Sequence, residues 1–115
     1  MDAESLVIGA IYQATGITCY HAIPANRPAE FGTVERTGGE TRGMVLDEPL
    51  VTIRLYAATR ARASQMATLV KDAIEELPYT EQNVFQAGVL SDYKSNDLEA
   101  MLPCHVVNCS LVYNN

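Results

Sequence analysis

The stretch PLVTIRLYAATRARASQMATLVKDAIEELP, residues 49–78, changes its period halfway along. Up to Tyr56 the side chains alternate. Val51, Ile53 and Leu55 share one face and Thr52, Arg54 and Tyr56 the other, the pattern of a strand. From Ala63 the apolar residues Met66, Ala67, Val70, Ala73, Ile74 and Leu77 follow at i, i+3, i+4 and i+7, the spacing of an amphipathic helix. Thr59 can accept from the first free N–H groups as an N-cap. Pro78 lacks an N–H, so the helix is predicted over Arg60 to Leu77. Arg62, Gln65, Lys71, Asp72, Glu75 and Glu76 fall on its wet face. A strand feeding such a helix predicts a sheet packed against helices.

Working outward, Ala3 to Thr15 reads as a first helix. Asp2 is its N-cap, Leu6, Val7, Ala10, Ile11 and Ala14 form its apolar stripe, and Gly16 is its stop, since glycine takes positive φ at no steric cost. Ile17 to His21 is a short strand candidate. Pro24 and Pro28 bracket an irregular link. Phe31 to Arg36 alternates with one large apolar residue on each face, which suits an edge or partly exposed strand.

The segment from Thr37 to Pro49 holds three glycines and the charged residues Glu40, Arg42, Asp47 and Glu48, around a small apolar island at Met44-Val45-Leu46. It is expected to be a long mobile loop or an extended β-hairpin arm, because structureless connections of roughly 12 residues are usually functional or disordered. Val84 to Ser91 is a strand that Gly88 weakens or bulges. Asp92 to Pro103 reads as a polar connection with a helical turn around Leu98 to Met101. Cys104 to Tyr113 is the last strand, with Val107, Cys109, Leu111 and Tyr113 on one face. The expected fold class is α+β: one mixed or antiparallel sheet of four to five strands on two helices, in a single domain, with the second helix contributing most to the core.

A chain of 115 residues with 48% apolar content fits one domain with a core of its own. No apolar run reaches the roughly 18–20 residues of a membrane span, and the acidic start argues against a secretory signal. A net charge of −6 argues against a grip on nucleic acid, which relies on clustered Lys and Arg. Three cysteines, Cys19, Cys104 and Cys109, make an odd count without CxxC spacing. Each is expected to be a small buried hydrophobe in a reduced, cytosolic protein.

Catalytic signatures are missing from the sequence. Cys19 and His21 could share a strand face, whereas Cys104 and His105 oppose each other, and neither pair comes with a base and an orienting group. The pairs Glu75/Glu76 and Asp47/Glu48 read as solvated carboxylates rather than an acid/base pair. Gly38-Gly39-Glu40 is no phosphate loop, because it lacks the P-loop pattern and carries an acid that would repel phosphate. The expectation is no enzyme, no cofactor and no metal site. The arginines Arg27, Arg36, Arg42 and Arg54 read either as solubilising charge or as contacts to acidic patches on neighbouring subunits, since Arg pairs well with carboxylates at interfaces. A head-to-tail interface of that kind closes into a ring when its rotation permits.

Three pieces in order carry a family resemblance: Pro24 to Gly39 (RP…F.TVERTGG), Pro49 to Leu77, and Ser91-Asp92-Tyr93 before a terminal strand. Together they cover about two-thirds of the chain. In this order the chain resembles the tail-terminator, or tail-completion, proteins of long-tailed bacteriophages and prophages. The resemblance implies a structural protein that caps the head-proximal end of the tail tube as a ring, commonly hexameric. The ring ends tube polymerisation and offers the head-tail joining surface. It implies a homo-hexamer, the tail-tube protein and a head-side connector as partners, with no specific nucleic acid, membrane or cofactor. Localisation would be the bacterial host cytoplasm during assembly and then the tail or neck of the virion.

Under this reading the protein-interaction residues are Arg27, Arg36, Thr37, Gly38, Gly39, Glu40, Arg42 and Arg54. Mutating Arg36 or deleting Gly39 to Leu46 is expected to spare folding and damage ring formation. The rival readings are another neck protein for head-tail connection or head closure, a small cytosolic enzyme or ligand-binding domain with a deep apolar pocket, and a generic dimerisation module.

Overall fold

The strand–helix pair that decides the fold sits at its centre. A computed structural model describes residues 2–42, 46–97 and 101–114, with backbone alone at 40–42, 96 and 97. Its element order is α1 (Ala3–Thr15), β1 (Cys19–Tyr20), β2 (Phe31–Arg42), β3 (Leu46–Tyr56), α2 (Arg60–Thr80), β4 (Val84–Asp97) and β5 (Leu102–Asn114). The five strands form one sheet in the order β1-β2-β3-β5-β4. Only the β1–β2 pair is parallel; β2–β3, β3–β5 and β5–β4 are antiparallel. This is the expected α+β fold with a mixed sheet.

Both helices end as their chemistry dictates at three of four termini. Asp2 accepts from Ser5 N–H at 2.7 Å, Thr59 accepts from Arg62 N–H at 3.1 Å, and Gly16 takes φ 76° while its N–H bonds the Tyr12 carbonyl. The fourth differs from the expectation. Pro78 lies inside α2, which runs on to Thr80. Proline removes one backbone bond near the end, but Glu81 N–H still reaches the Leu77 carbonyl at 2.9 Å and the Thr80 hydroxyl donates to Glu76 O at 3.4 Å, so the last turn holds. The charges of α2 run against its dipole. Its first turn has no acid and its last turn no base, while Arg60 and Arg62 open it and Glu75 and Glu76 lie toward its end.

One face of the sheet carries the main core. Val34, Val51, Ile53, Leu55, Val107, Cys109 and Leu111 meet Val7 and Ile11 of α1 and Met66, Ala67, Val70, Ile74 and Leu77 of α2, all buried. The seven apolar positions predicted for α2 are its seven buried ones. The opposite face holds a smaller cluster: Phe31, Tyr56, Cys104 and Val106, with Tyr20, Ile23 and Leu102 packed against it. Phe31 stacks on Tyr56 at 4.8 Å between centroids. All three cysteines are buried thiols, and burial pushes Cys19 and Cys109 up to about 12.

Four strand expectations are corrected. β1 is two residues long and does not span Ile17 to His21. β2 and β3 extend well beyond Arg36 and back before Leu50, taking buried Pro49 into the ladder. β4 continues through Asp92 to Asp97, where a polar connection was expected, because each residue from Ser91 to Asp97 finds a partner on β5. Its irregularities fall between Val84 and Gln86 and between Val89 and Ser91, while Gly88 pairs regularly with Ser110. The helical turn expected around Leu98 to Met101 lies largely outside the described residues; Met101 itself has φ 59°.

Candidate functional site

The surface singled out by the sequence is the distal end of β2 and β3. Of the two forms expected for it, a mobile loop or a hairpin arm, the described residues form the hairpin. The ladder steps from Gly38↔Leu50 to Arg42↔Leu46, and residues 43–45 lie outside the described set. A register shift between Arg36 and Gly38 leaves Thr37 as the extra, exposed residue of a bulge, which bends and twists the strand. Gly39 has φ 109°, and a Cβ there would stand 2.1 Å from the Glu48 carbonyl oxygen. Only glycine fits that close approach.

The base of the hairpin is fastened by charge. Arg36 donates from both terminal nitrogens to Asp47, at 2.6 and 2.8 Å, and from Nε to the Gly38 carbonyl at 3.0 Å. Asp47 is 4% exposed. The Arg36 hydrogen bonds hold its carboxyl below the ordinary aspartate range, helped by the Tyr113 hydroxyl. Burial and the Asp47 charge in turn raise the Tyr113 phenol. Arg36 thus spends its guanidinium inside the chain, which changes the expectation that its removal spares folding. Leaving Asp47 buried and unpaired has a cost.

The other predicted residues are scattered. Arg54 lies on β3 with Glu35 at 3.7 Å, and Arg27 lies exposed in the irregular segment before β2. Of Glu40, Thr41 and Arg42 only the backbone is described. The eight residues therefore make no single cluster; Arg36 to Arg42 belong to the hairpin and Arg27 and Arg54 lie toward the other end of the sheet.

Sequence reasoning missed two acids. Asp47 was read as solvated, yet it is the hairpin's fastening. Glu4 on α1 accepts the Arg36 backbone N–H at 2.8 Å and reaches His21 Nδ1 at 2.8 Å. Those two contacts, the backbone bond first, lower its carboxyl pKa. Glu4 therefore caps the outer edge of β2 just past the point where β1 stops pairing. No local spacing announces either contact, because one depends on the β2–β3 register and the other on the docking of α1 beside β2.

Elsewhere the chemistry is sparse. Asp92 joins His105 Nε2 at 2.7 Å and Lys71 Nζ at 3.2 Å, and these contacts depress its carboxyl. Among the described residues no three His, Cys, Asp or Glu side chains gather to hold a metal ion. The clefts are open and of mixed lining. One of about 450 Å³ runs between the end of α2 and β4, bordered by Glu75, Pro78, Tyr79 and Phe85. Another of about 460 Å³ separates the two helices near Ala10, Ala73 and Glu76. Among the described residues no helix is long and apolar enough to cross a membrane.

No protein-family model matches the chain, and no curated protein matches it. Among solved structures the chain is similar to one from the virion of a native gene transfer agent (GTA) particle. The TM-score is 0.54 at 14% identity, over 98% of this chain and 87% of that one. At that identity the two share a fold.

Proposed function

We propose that this chain is a structural protein of a phage-type particle, and that within it the chain caps the head-proximal end of the tail tube as a ring. The ring ends tube polymerisation and presents the head-tail joining surface. The observation that carries this reading is the fold likeness to a virion chain along nearly the whole length of both proteins. The order of sequence pieces shared with tail terminators supports the narrower role. The hairpin adds a means. It is a two-stranded projection, fastened at its base by Arg36 and Asp47, that can reach a neighbouring subunit or the tube. The partners are other copies of the chain, the tail-tube protein and a head-side connector. The role is one of assembly, not catalysis.

Incubation with tail-tube protein from the same genome, scored by electron microscopy of tube ends and lengths, tests this. Rings at one end with controlled length are expected. Tubes of unchanged length with bare ends would overturn the terminator role and move the protein to the head side of the neck.

A further inference from the structure

The two outer edges of the sheet are not alike. The β2 edge is covered by β1 at Gly32 and Thr33 and capped by Glu4 at Arg36. The β4 edge pairs with β5 on one side only, and it is the last strand of the sheet. Natural edges are usually blunted by proline, bulges or inward charge. β4 has no proline and both of its register shifts lie at or before Ser91, so its blunting rests on two helix-side charges: Lys94, and Asp92, which pairs in its own chain with His105 and Lys71. From Ser91 to Asp97 it is regular, and Asp92, Tyr93 and Lys94 are exposed on it.

Those three residues are complementary to their own reverse. Asp92 and Lys94 stand opposite Val107 and His105 on the helix side of the sheet, and Tyr93 stands opposite Val106 on the other face. A second β4 added antiparallel must keep each face intact, so only registers that join residues of one face are allowed. Centring on residue 92 sets Asp92 against Asp92, and centring on residue 94 sets Lys94 against Lys94. Both are unfavourable as like charges directly opposite. Centring on residue 93 sets Asp92 against Lys94 twice and Tyr93 against Tyr93. Ser91 then faces Ser95.

We propose that the free chain binds a second copy of itself along β4, as a two-fold dimer with Tyr93 on the axis and Asp92–Lys94 pairs on either side. This goes beyond the tube-capping role and does not rest on it. The contact is isologous and closed, so it cannot propagate. The hairpins lie at the other end of each sheet, away from the join.

The native thiols are buried, but Cys104 stands directly opposite Ser95 on β5, so each reporter cysteine is introduced singly in a Cys104→Ser background. Tyr93→Cys, Ser91→Cys and Ser95→Cys variants of the full chain are oxidised mildly in parallel. In the proposed register the two 93 positions are about 5 Å apart at Cβ, within disulfide reach. The two 91 positions, and the two 95 positions, are about 13 Å apart, four residues along the strand. Tyr93→Cys is expected to form covalent dimer at least about tenfold faster than the other two, following that difference in reach. Sedimentation of the unmodified chain at roughly 100 μM, a concentration at which weak pairing is measurable, is expected to show dimer, and a folded Lys94→Glu variant to show monomer. Equal cross-linking at all three sites, or an unmodified chain that stays monomeric at that concentration, would overturn the proposal. A monomer that still caps tubes would remove the dimer alone, and an unmodified chain that dimerises yet leaves tubes bare would remove the capping role alone.

Discussion

The same three strands bury side chains on both faces, but the two faces are covered differently. On one, α1 and α2 lie across Ile53, Leu55 and Val107 as regular helices. On the other, Phe31, Tyr56, Cys104 and Val106 are covered by Tyr20, Ile23 and Leu102, which come from a two-residue strand, an irregular segment and a strand end. A helix cannot sink into a void without losing its other contacts, whereas an irregular cover can. The lesson is that equal burial does not mean equal cost of truncation.

The sharpest way to break this comparison is to truncate on both sides. Ile53→Ala is expected to cost about 4 kcal/mol, because helices hold the cavity open. Phe31→Ala removes a larger side chain, yet its cost is expected near the lower end for such changes, about 3 kcal/mol, because the cover can settle. Urea unfolding midpoints with unchanged m-values would read both. A Phe31→Ala loss exceeding that of Ile53→Ala would show the irregular cover to be the stiffer one.

Away from both clusters, Arg36→Ala is expected to cost about 2 kcal/mol by stranding the Asp47 carboxylate, discounted because the guanidinium is partly exposed. The pH dependence has a defined sign. Asp47, Asp92 and Glu4 all have depressed carboxyls in the folded chain, so each contributes stability above the ordinary carboxylate range that is lost as pH falls through the folded value. Thermal midpoints should therefore drop below about pH 4, and Asp47→Asn should flatten that drop. An unchanged acid slope in Asp47→Asn would exclude the Arg36 pair as a contributor. The smallest effect is expected from Gly39→Ala. Its Cβ would stand 2.1 Å from the Glu48 carbonyl oxygen at a positive-φ position, so the ladder must open there, but the opening is local to the hairpin and leaves the global unfolding midpoint nearly unchanged. Amide exchange should rise across residues 38–42 and stay level in the main core.

The periodicity of residues 49–78 made the central strand and every buried position of α2 legible. Capping chemistry made α1 legible to the residue. The end of β4 was not legible. Ser91-Asp92-Tyr93-Lys94-Ser95 has no apolar alternation, since backbone pairing with β5 and the polar contacts of Ser91 and Asp92 with Asn108, His105 and Lys71 hold it extended. Pro78 misled because a proline in a last turn forfeits only one hydrogen bond. The Arg36–Asp47 and Glu4–Arg36 contacts were out of reach for another reason. They join residues 11 and 32 apart in the chain, and the β2–β3 register and the docking of α1 beside β2, not local spacing, bring them together.

The reversed charge order of α2 has a consequence for when that helix can exist. Arginines at its start and acids near its end weaken it in isolation, so a peptide of residues 60–80 should be largely coil in water by circular dichroism. The helix then forms only as β4 and β5, the strands it chiefly packs on, come together beneath it. Completing the sheet adds the β3–β5 ladder, whose pairs are as far apart as Leu46 and Asn114, 68 positions along the chain. That long loop must close before the core is whole, so folding should be slow for a chain of this size.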